Sequence, residues 1–121
     1  MIEIGSRLRS QAPPPHIVFE ALTQPDRDPG RQWLDLLDDE VTPLIVRAEP
    51  PSLVIWSSLW RKRPDAVIRF DLEAQESGAA GTGLRWTVLV DEPAPDDALV
   101  GHFRKRMNQL INRDLRYSFG Q

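Results

Sequence analysis

From Leu44 to Asp91 the chain divides into four strand-length runs, Leu44–Glu49, Ser52–Trp60, Ala66–Gln75 and Thr82–Asp91, with turn chemistry at every junction. Glu49-Pro50-Pro51, Arg61-Lys62-Arg63-Pro64-Asp65 and Glu76-Ser77-Gly78-Ala79-Ala80-Gly81 carry the prolines, glycines and short polar residues that end strands and reverse a chain. Links this short join antiparallel neighbours, because parallel strands need a long crossover. The segment therefore reads as an antiparallel meander. In its third strand Ile68, Phe70, Leu72 and Ala74 alternate with Arg69, Asp71, Glu73 and Gln75, the period of a sheet with one solvated and one covered face. Something must supply the cover.

The last segment does so. Pro95 and Asp96-Asp97 suit a helix start, and Ala98 to about Tyr117 holds no proline and only one glycine, Gly101. At helical spacing Leu99, Val100, Phe103, Met107, Leu110 and Ile111 fall on one flank, with Lys105, Arg106, Asn112, Arg113 and Arg116 elsewhere. An amphipathic helix lies on the sheet. Before the meander, Ile2, Ile4, Ser6 and Leu8 alternate with Glu3, Gly5, Arg7 and Arg9, which predicts a first strand with those four on its buried face. Ala12-Pro13-Pro14-Pro15 ends that strand and opens a helix through His16 to about Thr23. A breaker cluster, Gln24 to Gly30, precedes a second short helix, Arg31 to Leu37, with Trp33, Leu34 and Leu37 inward and Asp38-Asp39-Glu40 closing it.

A chain of 121 residues fits one domain, 1–121, with a single core. Without cysteine it has no disulfide, no thiolate catalysis and no cysteine-based metal site. Its net charge of -3 offers no general attraction to phosphate backbones, so no nucleic-acid partner is expected. MIEIGSRLRS lacks the order of a signal peptide, and no run approaches the roughly 18 apolar residues of a membrane span, so a cytoplasmic protein without membrane insertion is expected.

Several phrases resemble those of the START-like (SRPBCC, polyketide-cyclase-like) helix-grip superfamily. They are the alanine-proline opening Ala12 to Leu22, Trp33, the segment Glu49-Pro50-Pro51-Ser52-Leu53-Val54-Ile55-Trp56, and the glycine-threonine turn Gly81-Thr82-Gly83-Leu84-Arg85-Trp86-Thr87. Together they span nearly the whole chain, yet each is a folding signature and none contains a catalytic residue. The resemblance implies an α+β helix-grip fold: an antiparallel sheet wrapped around a long C-terminal helix, with two short helices after strand one. It also implies a cavity between helix and sheet that holds lipids, sterols, aromatic polyketides or hormones, with cyclase or hydrolytic chemistry in a minority of members. The chain departs from the pattern in having five strands where six or seven are common; further strands are either hidden near Val41 or missing.

Asp114 is the sharpest anomaly, because spacing sets it within the apolar flank between Leu110, Ile111 and Tyr117, where an unpaired carboxylate is costly. Either it points into a cavity to orient a ligand or act as acid or base, with Tyr117 beside it, or it sits at a pocket mouth or pairs with Arg69 or Arg85. Trp56, Trp60 and Trp86 on neighbouring strands either stack on a flat ligand or pack the core. His102 borders the apolar flank and is either a proton-transfer group or a structural histidine, while His16 and His102 without nearby carboxylates make no zinc site. Arg104-Lys105-Arg106 with Arg113 and Arg116, and Arg61-Lys62-Arg63, are read as solvated basic clusters. The expected function is binding of a small hydrophobic or aromatic molecule by Trp56, Ile68, Phe70, Trp86, Phe103, Met107 and Leu110, with Asp114 and Tyr117 as polar contacts and no cofactor or metal. The alternatives are a cyclase- or dehydratase-like enzyme using Asp114 or His102, and an interaction module of toxin-like kind with a filled core. Monomer and homodimer both remain open.

Overall fold

The structure, a computed structural model, describes residues 1–26, 32–75 and 81–120. Its elements are β1 (Ile2–Gln11), α1 (Pro15–Thr23), β2 (Ile45–Glu49), β3 (Leu53–Ser57), β4 (Val67–Ala74), β5 (Thr82–Val90) and α2 (Asp97–Gln109). A π-helical turn, Leu110–Leu115, and a last short helix, α3 (Arg116–Ser118), continue α2 without a break. The five strands form one antiparallel sheet in the order β1-β5-β4-β3-β2. The meander is as the turn chemistry predicts, and the first strand docks beside the last. The fold is the α+β helix grip expected from the resemblance.

The core lies between the sheet and the terminal helix. Val54, Trp56, Ile68, Phe70, Leu84, Trp86 and Val88 project from the sheet onto Phe103, Met107, Leu110, Ile111 and Leu115, all buried. Full burial of a side chain of this size contributes about 1.5–3 kcal/mol, so this layer dominates the stability of the fold. Aromatic contacts organise it. Trp60 stacks on Phe103 with centroids 4.0 Å apart, and Phe70 meets Trp56 edge-on at 4.7 Å.

Four sequence expectations need correction. The register of β1 slips between Glu3 and Gly5, a bulge that moves every later side chain to the opposite face. Leu8, expected inward, is therefore 54% exposed, and Gly5 and Gln11 are buried instead. Second, Gln32–Leu37 has no regular secondary structure in place of the helix, although Trp33 and Leu34 are buried as expected and Leu37 is exposed; Arg31 and the end of the breaker cluster, 27–30, lie outside the described residues. The backbone there is held by polar groups from elsewhere: Glu40 accepts from the Leu37 N–H at 2.8 Å and Arg106 donates to the Asp35 carbonyl at 2.9 Å. With those groups satisfied from outside, no helical ladder is required.

Third, Arg106 is not on a solvated face. It is 3% exposed and bonded to Glu40. Fourth, Asp114 does not occupy the middle of the apolar flank. The π turn has a longer hydrogen-bond repeat than an α-helix, so residues beyond Leu110 lag behind a wheel drawn at 3.6 residues per turn. Leu115 reaches the core in its place. The side chain of Gln11 donates to the Ile111 carbonyl at 3.2 Å, which anchors β1 to this turn. Among the described residues the pairing near Val41 is a single bridge, Glu40 with Trp60, and not a further strand. The turn residues Glu76 to Ala80 lie outside the described residues.

Candidate functional site

Helix α1 begins at Pro15, where the missing N–H costs nothing, and ends under two tryptophans. Trp33 donates its indole N–H to the Ala21 carbonyl and Trp56 donates to that of Leu22, each at 2.9 Å. These are carbonyls of the last helical turn, which has no successor to bond them. The two indoles stack with centroids 6.0 Å apart, and Phe70 stands behind Trp56. A row of rings thus runs from the segment after α1 into the core.

Outside this row lies a cleft of about 1290 Å³, bounded by the start of α1, the Gln32–Asp35 segment and the end of the terminal helix. Its apolar lining includes Ile17, Trp33, Leu34 and Phe119, and its polar lining includes Arg113, Asp114, Tyr117 and Ser118. The Asp114 side chain is 19% exposed and accepts a hydrogen bond from Arg113 Nε at 3.0 Å. Tyr117 is 78% exposed. An open cleft with an aromatic wall and a carboxylate and phenol at its rim can hold a molecule that is apolar over most of its surface and polar at one end.

The expected ligand residues separate into two sets. Asp114 and Tyr117 line the cleft. Trp56, Ile68, Phe70, Trp86, Phe103, Met107 and Leu110 are essentially inaccessible and pack on one another between sheet and helix. His102 is in neither set. Its Nε2 lies 2.9 Å from Asp39 Oδ2, half-buried, and its ring tilts against Phe103. The two candidate acid–base residues are therefore not brought together. Of the basic clusters only Arg106 turns inward, to Glu40; Arg104, Lys105, Arg116, Arg61 and Lys62 are exposed, while the exposed Arg113 pairs with Asp114 and Arg63 pairs with Asp65 at 2.8 Å.

The sequence reading missed the buried ion pair. Arg106 gives Nε to Glu40 Oε2 at 2.8 Å and Nη2 to Oε1 at 2.7 Å, a bidentate contact. Its remaining donors reach the Asp35 carbonyl and, at 3.0 Å, Gln109 Oε1, while Trp60 Nε1 and the Leu37 N–H complete the shell of Glu40. The guanidinium is raised above its ordinary pKa, first by the hydrogen bonds to Glu40, against the opposing effect of burial. A signal was available, since Arg106 lies three residues after Phe103 and four before Leu110, at the same spacing as the core side chains. Among the described residues no group of three or more histidines, acids or cysteines is placed to hold a metal ion, and no helix is long and apolar enough to cross a membrane.

No family model matches the sequence, and no curated protein does. Solved structures do match. The chain is similar to CalU16 from Micromonospora echinospora at 19% identity, over 88% of this chain and 68% of that one, with a TM-score of 0.63. It is similar to the protein of the Aha1 dimer from Colwellia psychrerythraea at 17% identity, over 96% and 94%, with a TM-score of 0.68. Ara h 8.0201 matches at 14% identity over 97% of each chain, with a TM-score of 0.54. At these identities the likeness establishes the fold, which in all three is the helix grip.

Proposed function

We propose that a protein with this helix-grip fold binds a small, largely apolar molecule in the cleft between α1, Gln32–Asp35 and the end of the terminal helix. The observation that carries the reading is the junction of Ile17, Trp33 and Phe119 with Asp114 and Tyr117 in one opening. The apolar body of the ligand rests on Ile17 and the ring wall, and its polar end meets the carboxylate and the phenol. The buried set from Trp56 to Leu110 is the rigid backing of that wall: it keeps Trp33 in one orientation, so little ordering cost falls on binding.

The test is native mass spectrometry beside the denatured mass, followed by thermal shift with fatty acids, sterols and aromatic polyketides. A retained molecule, or a melting temperature that rises with ligand concentration, is expected, because a ligand that binds only the folded state stabilises it by mass action. Ile17→Glu puts a charge on the apolar wall without touching the core and is expected to remove the shift. A response that Ile17→Glu and Tyr117→Ala leave unchanged moves the site elsewhere, and no response to any class overturns the reading. A second reading, acid–base chemistry by Asp114 on a bound polyketide-like substrate, is favoured by the carboxylate at the cleft. It requires Asp114→Asn to abolish turnover while binding persists.

A further inference from the structure

Four buried polar side-chain atoms have no hydrogen-bond partner among the described residues: Arg9 Nε, Gln11 Oε1, Trp86 Nε1 and Asn108 Oδ1. Orphans of this kind are unfavourable, and one such group in a native protein calls for an explanation. These four share one place. Arg7 pairs across the strands with Trp86, and Arg9 with Leu84, so Arg7, Arg9 and Trp86 project on the same face of the β1–β5 edge, the face that the terminal helix covers. The helix runs alongside β1 and touches it at two points. Near its start the Arg104 stem lies against Gly5, where a Cβ would meet Arg104 Cγ at 2.8 Å and the Trp86 ring at 3.3 Å; near its end Gln11 bonds the Ile111 carbonyl. Asn108 lies between those points. None of the six residues concerned lines the cleft of the proposed function.

The seam also gathers unpaired cations. Arg47, Arg63, Arg69, Arg106 and Arg113 each have a carboxylate partner. Among the described residues Arg7, Arg9, Arg61, Arg85, Arg104 and Arg116 have none, and three of these six, Arg7, Arg9 and Arg104, belong to the seam. Three uncompensated guanidinium groups, one of which holds the unused Arg9 donor, beside the unused indole N–H of Trp86 favour an anion, and the unused acceptors on Gln11 and Asn108 favour one that also carries a hydroxyl. We propose that the seam between β1 and the terminal helix is a second binding site, for a small oxyanion bearing a hydroxyl: a monohydrogen phosphate group or a hydroxy-carboxylate. Arg9 and Trp86 donate to its charged oxygens, Arg7 and Arg104 close over it from the solvent side, and Gln11 and Asn108 accept from its hydroxyl.

The experiment is a two-dimensional ¹H–¹⁵N NMR titration of the whole chain with inorganic phosphate and, separately, with glycolate, ionic strength being held constant with sodium chloride. Four indole signals are present, and three belong to indoles already bonded, on Trp33, Trp56 and Trp60. The Trp86 indole and the Arg9 Nε–H are expected to move saturably while those three stay still. Saturation by phosphate alone assigns a phosphorylated ligand, and by glycolate alone a hydroxy acid. Arg9→Gln and Arg104→Gln are each expected to weaken binding by about tenfold, the loss of one charge-assisted contact, and Arg116→Gln to leave it unchanged. No saturable movement with either ion up to about 20 mM, a concentration that would reveal millimolar affinity, means that buried water alone serves the four atoms and overturns the proposal. Equal weakening by Arg116→Gln does so too. The wild-type titration decides the matter even where a variant does not fold.

Discussion

Arg106, on the terminal helix, and Arg9, on the strand beside it, both meet the contact between helix and sheet, and their surroundings differ in kind. Around Arg106 the donors meet a carboxylate, a backbone carbonyl and an amide, and the paired carboxylate is itself saturated by Trp60 and Leu37. Around Arg9 a buried donor faces no partner, and three nearby polar atoms share that condition. A polar group that is buried and satisfied fixes structure, here by pinning the irregular Gln32–Glu40 segment to the helix. One that is buried and unsatisfied has paid for burial without recompense, which is economical only where something else arrives to bond it.

That contrast is sharpest in stability. Glu40→Gln or Arg106→Met leaves one buried charge without its counter-ion and is expected to cost about 3–5 kcal/mol, read from urea unfolding midpoints. The double replacement Glu40→Met with Arg106→Met removes both charges and is expected to recover most of that loss. If it recovers none, the pair contributes through its hydrogen bonds to Asp35 and Leu37 and not through mutual compensation.

Of intermediate size is the effect at Asp65, whose partner Arg63 also bonds the carbonyls of Asp91 and Pro93 and so ties the turn before β4 to the end of β5. The Asp65 carboxyl is held well below the usual carboxylate range, first by the hydrogen bonds from Arg63 and against the opposing effect of burial. A lowered folded-state value contributes stability that is complete above the unfolded value of about 4 and is lost as the pH falls below it toward the folded value. Asp65→Asn is expected to lower the melting temperature at pH 7 and to flatten its decline between about pH 4 and pH 2, the window set by that unfolded value. The smallest effect belongs to the seam. Arg9→Met is expected to change stability by less than about 1 kcal/mol, since it deletes an unused donor and no bond. A loss comparable to that of Arg106→Met would show that Arg9 has a structural partner.

Most of the architecture was legible in local chemistry. Proline and glycine positions gave the four strands of the meander within a few residues, and Asp96 caps α2 by accepting from the Leu99 N–H at 2.9 Å, as the acidic start suggests. The site was less legible. Asp114 and Tyr117 could be singled out as polar residues near an apolar stripe, but their place at an open cleft depends on the Gln32–Asp35 segment folding back across the end of the helix. That segment carries a helical pattern, but its backbone is bonded by the nearby Glu40 and by Arg106, a partner distant in sequence.

What the sequence determined by itself is whatever depends on neighbours along the chain: turn positions, strand alternation in β4, the amphipathic stripe of the last helix and its cap. What only the tertiary structure decided is whatever depends on phase and on distant partners. One residue of bulge in β1 reversed the faces of Leu8 and Gln11, and a slight lengthening of the helical repeat after Leu110 exchanged Asp114 for Leu115 at the core. A periodic pattern fixes which residues share a face only while the period holds. Here a bulge near the start of β1 and a π turn after α2 break it on the two elements that the contact between Gln11 and Ile111 joins.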